Sequence, residues 1–316
     1  MKFPQLKIGN LIPRYPIIQG GMAIRVSTAP LAAAVANAGG IGIIAATGMS
    51  MKELKDEIRQ ARQLTKGIIG INIMFAVRQF ANLVHEAIDD KIDLVITGAG
   101  FSRDIFKWGS DAGVPIVSIV SSSKLAKIAE KSGASAVVAE GSEAGGHLGT
   151  DRSIFEILPE IVSSVKLPVI AAGGIVDGSG IAKVMRLGAS GVQMATRFVL
   201  SMECAVADAF KQTYLKAQAD DIMLISSPVG MPGRAIRNPF VSDVMKGCPA
   251  PITGCELCLK DCSREYCIIQ ALENARLGKI DNGVVFAGKN VGQLKDILPV
   301  QKIFDNLVTE FEAEPD

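Results

Sequence analysis

His147 is one of only two histidines in a chain of 316 residues, and it sits in "EGSEAGGHLG" (140–149). An imidazole titrates near neutrality, so it can accept or donate a proton under ordinary conditions. Glycines before it leave room for a cofactor and a substrate to approach. The carboxylates Glu140 and Glu143 stand close by, to tune the imidazole or to cap the following loop. A turn histidine bonded to a carbonyl is the plainer alternative. The other histidine, His85 in "ANLVHEAIDD", lies among helix formers and takes no role. A second concentration of chemistry is "CPAPITGCELCLKDCSREYC". Cys248, Cys255, Cys258, Cys262 and Cys267 fall within twenty residues, and the inner four read C-x2-C-x3-C-x4-C. Four thiolates at short spacing suit an iron–sulfur cluster or zinc. Cys255, Cys258, Cys262 and Cys267 are the expected ligands, with Cys248 as a substitute. Dithiol redox work ranks second and inert thiols last. Cys204 is separate and reads as packing.

A third stretch, "AAGGIVDGSGIAKVMRLGASGVQMATRF" (171–198), suits phosphate. Bare N–H groups at Gly173–Gly174 and at Met194–Ala195–Thr196, with Asp177–Gly178–Ser179 opening a helix, can hold phosphate oxygens. Neither a Walker lysine motif nor an early G-x-G-x-x-G is present, so nucleoside triphosphates and Rossmann-type NAD binding are not indicated.

These residues need a frame. Apolar, Val/Ile-rich runs recur at 15–22, 40–46, 68–74, 94–100, 114–122, 135–141, 167–175 and 190–198, as expected for strands buried on both faces. Helix-like stretches such as "MKELKDEIRQARQL" lie between them. Eight such units predict an α/β fold, a (β/α)8 TIM barrel, over 1–198; an open doubly wound sheet is the alternative. Gln19, Gly20, Gly21, Asn72, Thr97, Glu140, Gly173, Gly174 and Thr196 fall at strand C-terminal ends, which form the reactive face of such a barrel. Residues 199–290, with the cysteine patch at 248–267, read as an insertion or subdomain after strand 8 that covers the mouth, with a helix near 202–218. Residues 291–316 read as a C-terminal amphipathic helix packing back on the barrel.

The net charge is +1, with both signs mixed along the chain. Nucleic acid and membrane surfaces are therefore not expected partners. No signal-like or spanning run is present, and a cytoplasmic protein with a small-molecule substrate is expected, compatible with a homodimer.

"QGGMA", "GINIM", "TGAG", "AEGSEAGGHLG", "PVIAAGGIVDG" and "VQMATRF" together resemble the nitronate monooxygenase (2-nitropropane dioxygenase) family, which includes the flavin-dependent enoyl-acyl-carrier-protein reductases. The resemblance spans roughly residues 8–240. It implies FMN at the C-terminal face of the barrel. Gly20, Gly21 and Met22 would pass along the flavin ring and Asn72 its polar edge. Gly145 and Gly146 would let backbone approach it. Gly173, Gly174, Gln193, Ala195 and Thr196 would hold ribityl and phosphate, where the family more often has glycine at the place of Ala195. Gln19, Thr97, Glu140 and Met194 complete the cofactor-binding set, and His147 would handle the proton. The implied reaction is oxidation of alkyl nitronates, with the flavin reoxidised by O2. An NAD(P)H-dependent enoyl reductase or quinone-type reductase on the same site is the alternative, and a non-catalytic flavin-binding redox sensor is the reading from another class. In "SPVGMPGRAIRN", Arg234 and Arg237 could meet a nucleotide or phosphopantetheine phosphate, or form surface ion pairs. The cysteine patch is foreign to the resemblance, so its role is not carried over.

Overall fold

The computed structural model describes residues 1–100, 102–249, 251–252 and 254–315. Its strands are β1 (Ile17–Gln19), β2 (Gly42–Ala45), β3 (Ile69–Met74), β4 (Leu94–Gly98), β5 (Ile116–Val120), β6 (Ala136–Glu140), β7 (Gly146–His147), β8 (Val169–Ala172), β9 (Gly191–Met194), β10 (Ile222–Ile225) and β11 (Gly233–Ile236). Eight of them form one parallel sheet in the order β1-β9-β8-β6-β5-β4-β3-β2. The ends of that order meet. Ile18 bridges Ile41 in parallel, Gln19 N–H donates to the Ile41 carbonyl at 3.0 Å and Ile41 N–H to that of Ile17 at 3.0 Å. The sheet is therefore a nearly closed barrel, as the count of apolar runs predicts.

The strands are apolar without interruption because both of their faces are covered. Ile18, Ile43, Leu94, Ile96, Val117, Val138 and Ile170 fill the barrel interior, with Leu6 and Ile8 packed among them. Their neighbours Ile17, Ile44, Val95, Val137 and Ala171 face the other way into a second core beneath the helices. Successive side chains on a strand point to opposite faces, so each residue of a pair needs its own apolar surroundings.

The outer layer includes α1 (Ala29–Asn37), α2 (Met51–Leu64), α3 (Phe80–Asp89), α4 (Asp104–Ala112), α5 (Ser123–Ser132), α6 (Ile154–Val162) and α7 (Gly178–Arg186). Local signals set their ends. The Ser50, Ser122, Ser153 and Asp177 side chains each accept a backbone N–H in the first turn of the helix that follows. α4 and α5 stop at Gly113 and Gly133, both left-handed.

After β9 come α8 (Thr196–Val199), α9 (Asp208–Lys216), α10 (Pro239–Met245), α11 (Ile268–Arg276) and α12 (Val300–Ala313). In the final helix, Phe311 stacks on Phe3 with ring centroids 3.9 Å apart, and Glu310 accepts from Gly178 N–H at 2.8 Å. The run at 202–218 is helical only over Asp208–Lys216. Residues 199–290 do not stand apart as a subdomain. β10 and β11 pair in a three-stranded sheet whose other edge is β7, a piece of the loop after β6. Their buried residues Ile225, Ala235, Ile236, Tyr266 and Val285 also belong to the same core cluster as the barrel's outer face. Among the described residues no helix is long and apolar enough to cross a membrane.

Candidate active site

A cavity of about 380 Å³ opens at the C-terminal ends of the barrel strands, between them and the covering segment. One wall is main chain and small polar groups: Gly20, Gly21 and Met22 after β1, Asn72 on β3, Glu140 on β6, Gly145–Gly146–His147, and Gln193, Ala195 and Thr196 at and after β9. The rest of the lining is largely apolar: residues after 198 give Phe210, Val229, Met231, Leu259, Ile269, Leu272 and Phe286, and the barrel side gives Ile24, Val26, Met74, Ile119, Val120 and Leu125.

Of the residues expected at a cofactor, Gln19, Thr97, Gly173, Gly174 and Met194 do not line this cavity. Gln19 is fully buried. Its Nε2 donates to the Ser27 hydroxyl at 2.7 Å and to the Gly20 carbonyl, and its Oε1 accepts from Ile43 N–H at 3.0 Å. Its amide is thus spent on shaping the β1 turn. Met194 is buried too and its carbonyl accepts from Gly20 N–H at 2.7 Å. Gly173 (φ 108°) and Gly174 (φ 70°) make the left-handed turn after β8 that a side chain would strain. The Gly174 carbonyl is held by Asn290 Nδ2 at 2.6 Å.

Close approach at β1 explains "QGGM". A Cβ on Gly21 would overlap the Asn72 side chain, so glycine there is what lets the two strand ends meet. Such a floor is a cradle for a flat ring. Gln193 Oε1 is buried on this wall without a hydrogen-bond partner among the described residues. A buried polar atom left unpaired costs free energy, and a hydroxyl- or N–H-bearing ligand would satisfy it. Among the described residues the lining contains no lysine or arginine, so a phosphate here would rely on backbone N–H groups. The residues present fit FMN on these grounds.

His147 does not lie in a bare, flexible loop. It forms β7 with Gly146 and pairs antiparallel with β11, Gly233 opposite His147 and Arg234 opposite Gly146. Leu148 N–H donates to the Pro232 carbonyl at 2.9 Å. Arg234 is not free for a ligand phosphate: its Nε and Nη2 donate to the Ser142 carbonyl at 3.1 and 2.7 Å, clamping the loop that carries His147. Arg237 donates to the Asp220 carbonyl at 3.1 Å on the exposed side. Glu143 caps the next helix, accepting from Ser153 Oγ at 2.5 Å and Ile154 N–H at 3.0 Å.

The ring itself is held on two sides. Nε2 lies 2.7 Å from the Ser227 hydroxyl, and Phe286 meets the ring edge-on at 5.2 Å. Tyr214 fixes Phe286 by donating to its carbonyl at 2.6 Å. Burial lowers the imidazole from 6.5 to about 4, so His147 is neutral at physiological pH. Glu140 is shifted the other way: burial against the cavity pushes its carboxyl from 4.5 up to about 7. Ser227, Phe286, Tyr214 and Leu259 were not legible as site residues. "SPVG" was the only signal near Ser227, and serine is too common to single out.

The cysteines do not assemble. Among the described residues no three His, Cys, Asp or Glu side chains come together to hold a metal ion. Cys248, Cys255 and Cys262 are exposed, while Cys258 and Cys267 are half-buried. Burial, and then the neighbouring Cys267, raises the Cys258 thiol above its usual value, which disfavours the thiolate a metal requires. Cys204 is buried and inert as expected, with burial pushing it up to about 12.

An eight-stranded parallel barrel with a glycine-floored cavity and a half-buried imidazole at its C-terminal face is the frame of a TIM-barrel enzyme. The family model for nitronate monooxygenase matches residues 5–94 and 74–310, and the chain belongs to that family, which is flavin-dependent. It is 30% identical over 328 residues to a 5-hydroxy-7a-methyl-1-oxo-octahydro-1H-indene-4-carboxyl-CoA dehydrogenase of Rhodococcus jostii, covering 94% of this chain and 92% of that protein. It is 32% identical over 276 residues to a protein of Staphylococcus aureus described as a probable nitronate monooxygenase, covering 73% and 77%. The structure of FabK from Thermotoga maritima superposes with a TM-score of 0.84 at 33% identity, over 95% of this chain and 93% of that one.

Proposed function

We propose that this protein is an FMN-dependent oxidoreductase that interconverts an acyl thioester and its α,β-unsaturated form, with His147 exchanging the proton at Cα and NAD(P)H as reductant in the saturating direction. One observation carries the choice of substrate: apart from the glycine floor the cavity lining is largely apolar, with Phe210, Val229, Met231, Leu259, Ile269 and Leu272 in it. A small nitronate would leave most of that lining uncovered, whereas an acyl chain would bury it. The relative from Rhodococcus jostii, named a carboxyl-CoA dehydrogenase, supports the same substrate class.

FMN, when bound, would supply the ring that exchanges a hydride with Cβ. Gly20, Gly21, Asn72, Gly145 and Gly146 would seat that ring, and Gln193, Ala195 and Thr196 its ribityl and phosphate. His147, neutral and desolvated, is suited to take the α-proton, which the adjacent thioester carbonyl acidifies. The covering segment excludes water from that proton. The nitronate reading is supported by the Staphylococcus aureus relatives, and it uses the same imidazole as a hydrogen-bond partner of a nitronate, which has already lost its α-proton.

Anaerobic mixing separates the two. Bleaching of the flavin by NADH or NADPH, followed by reoxidation with crotonyl thioester, is the expected result. Bleaching by a nitronate alone, with no response to the thioester, would replace the acyl reading by the nitronate one.

A further inference from the structure

Among the described residues of the cysteine-rich segment at 248–267, one side chain lines the cavity: Leu259. Its backbone is pinned to the barrel. Leu259 makes an antiparallel bridge with Val77, in the loop after β3. Arg78 N–H donates to the Cys258 carbonyl at 2.9 Å, and Lys260 N–H to the Ala76 carbonyl at 2.9 Å. Arg78 Nε donates to the Leu259 carbonyl at 2.8 Å. These bonds hold the main chain on both sides of Leu259, so the side chain cannot retreat from a ligand by a backbone shift. Leu259 is only 4% exposed, and it seals the cavity where it stands.

The place of that seal follows from the loop that holds it. Val77 N–H donates to the Met74 carbonyl at 3.2 Å, and Phe75 N–H to the Gly98 carbonyl at 2.9 Å. Leu259 therefore stands over the ends of β3 and β4. Beside them, at the turn after β2, Ile24 and Ile269 converge: a Cβ on Gly48 would lie 2.5 Å from Ile24 Cδ1 and 3.7 Å from Ile269 Cδ1. Met74, Ile24 and Ile269 line the cavity together with Leu259. The imidazole assigned to the chemistry is elsewhere, since His147 follows β6. In the barrel order β3 is three strands from β6. Neighbouring strands lie roughly 5 Å apart, so roughly 10 Å or more of rim separates His147 from Leu259. An acyl chain with its α-carbon at His147 gains most burial by ending among these aliphatic side chains.

We propose that Leu259 determines the acyl-chain length this enzyme accepts: it is the stop against which the tail of the thioester ends. This rests on the acyl-thioester reading given above and narrows it. The cysteine-rich segment is then a strap whose task is to hold the stop in place. A stop on a pinned backbone responds to side-chain volume in both directions. A smaller side chain deepens the cavity for further methylenes, and a larger one removes room for them. Each methylene gained or lost in an apolar pocket changes kcat/KM by about tenfold or more.

The test is the length profile of kcat/KM for α,β-unsaturated thioesters from crotonyl to dodecenoyl, with FMN-loaded enzyme and NAD(P)H. Leu259→Ala should raise the ratio of the long to the short end of the series about tenfold over wild type, and Leu259→Phe should lower it about tenfold. Opposite shifts from one position do not come from a general loss of folding. Dissociation constants of the saturated acyl-CoA series, measured by calorimetry, should move in the same two directions and read the stop without turnover. Thioester turnover with one length profile in wild type and both variants, or a shift in the same direction in both variants, overturns the stop and leaves the acyl reading standing. A wild-type enzyme that reduces no thioester of any length overturns both.

Discussion

The two walls of the cavity are built by different means. The barrel wall gives glycine turns at Gly20–Gly21 and Gly145–Gly146 together with the side chains of Asn72 and Gln193 and one carboxyl, Glu140. The covering wall gives side chains: Leu259 and Phe286 as surface, and Ser227 as the hydrogen-bond partner of the imidazole. His147 belongs to both, since the barrel loop carries it and β11 pairs with it. The difference teaches that one wall is suited to a constant ligand, gripped by main chain. The other can vary with the substrate, because side chains can change without moving a barrel strand.

The comparison breaks most severely at the residue both walls share. His147→Ala should retain FMN on the barrel wall yet lose about 100-fold or more in kcat with thioester; steady-state kinetics beside a flavin-to-protein ratio checks both halves. Glu140→Gln tests the barrel wall by stability. Because its folded carboxyl sits near 7 and its unfolded one at 4.5, Glu140 is harmless below pH 4.5, and ionisation of the unfolded chain destabilises the fold increasingly up to about pH 7. In flavin-free protein at pH 8 the glutamine variant should be more stable by up to about 3 kcal/mol, converging on wild type near pH 4, as read by denaturant melts across pH. His147 has the opposite sign: its share of stability is complete above 6.5 and is lost as pH falls toward 4.

Gly21→Ala should weaken FMN binding by roughly 1–3 kcal/mol through the clash with Asn72, measured by flavin titration. An unchanged Kd would show that the floor is not where the ring sits. The smallest effect belongs to the covering wall's outer edge. Lys260 lies 3.4 Å above the Phe75 ring and 5.5 Å from Phe80. Lys260→Met should cost about 0.5–1 kcal/mol of stability by thermal melt, with turnover little changed.

Much of the barrel was legible because a strand buried on both faces is apolar at every position, as in "GIGIIAA". β10 carries no such signal for the converse reason: Leu224 is exposed, and the run Ile222–Ile225 is buried only at its end. β7 is two residues long and begins with glycine, so no period can reveal it. The surroundings of His147 were likewise invisible, since Ser227 and Phe286 reach it from 80 and 139 positions away in the chain. The thiol spacing pointed to a metal, but spacing constrains sequence distance only, and the folded segment turns three of the five thiols to solvent.

The order of residues alone determined the eight βα units, the glycines at strand ends and the family, because these depend on local periodicity and on short turns. Only the tertiary structure decided which strand ends line the cavity, that Arg234 clamps a loop instead of meeting a phosphate, and that His147 is neutral with Nε2 on Ser227. Those outcomes depend on burial and on hydrogen bonds between distant segments, and neither exists until the chain has closed on itself.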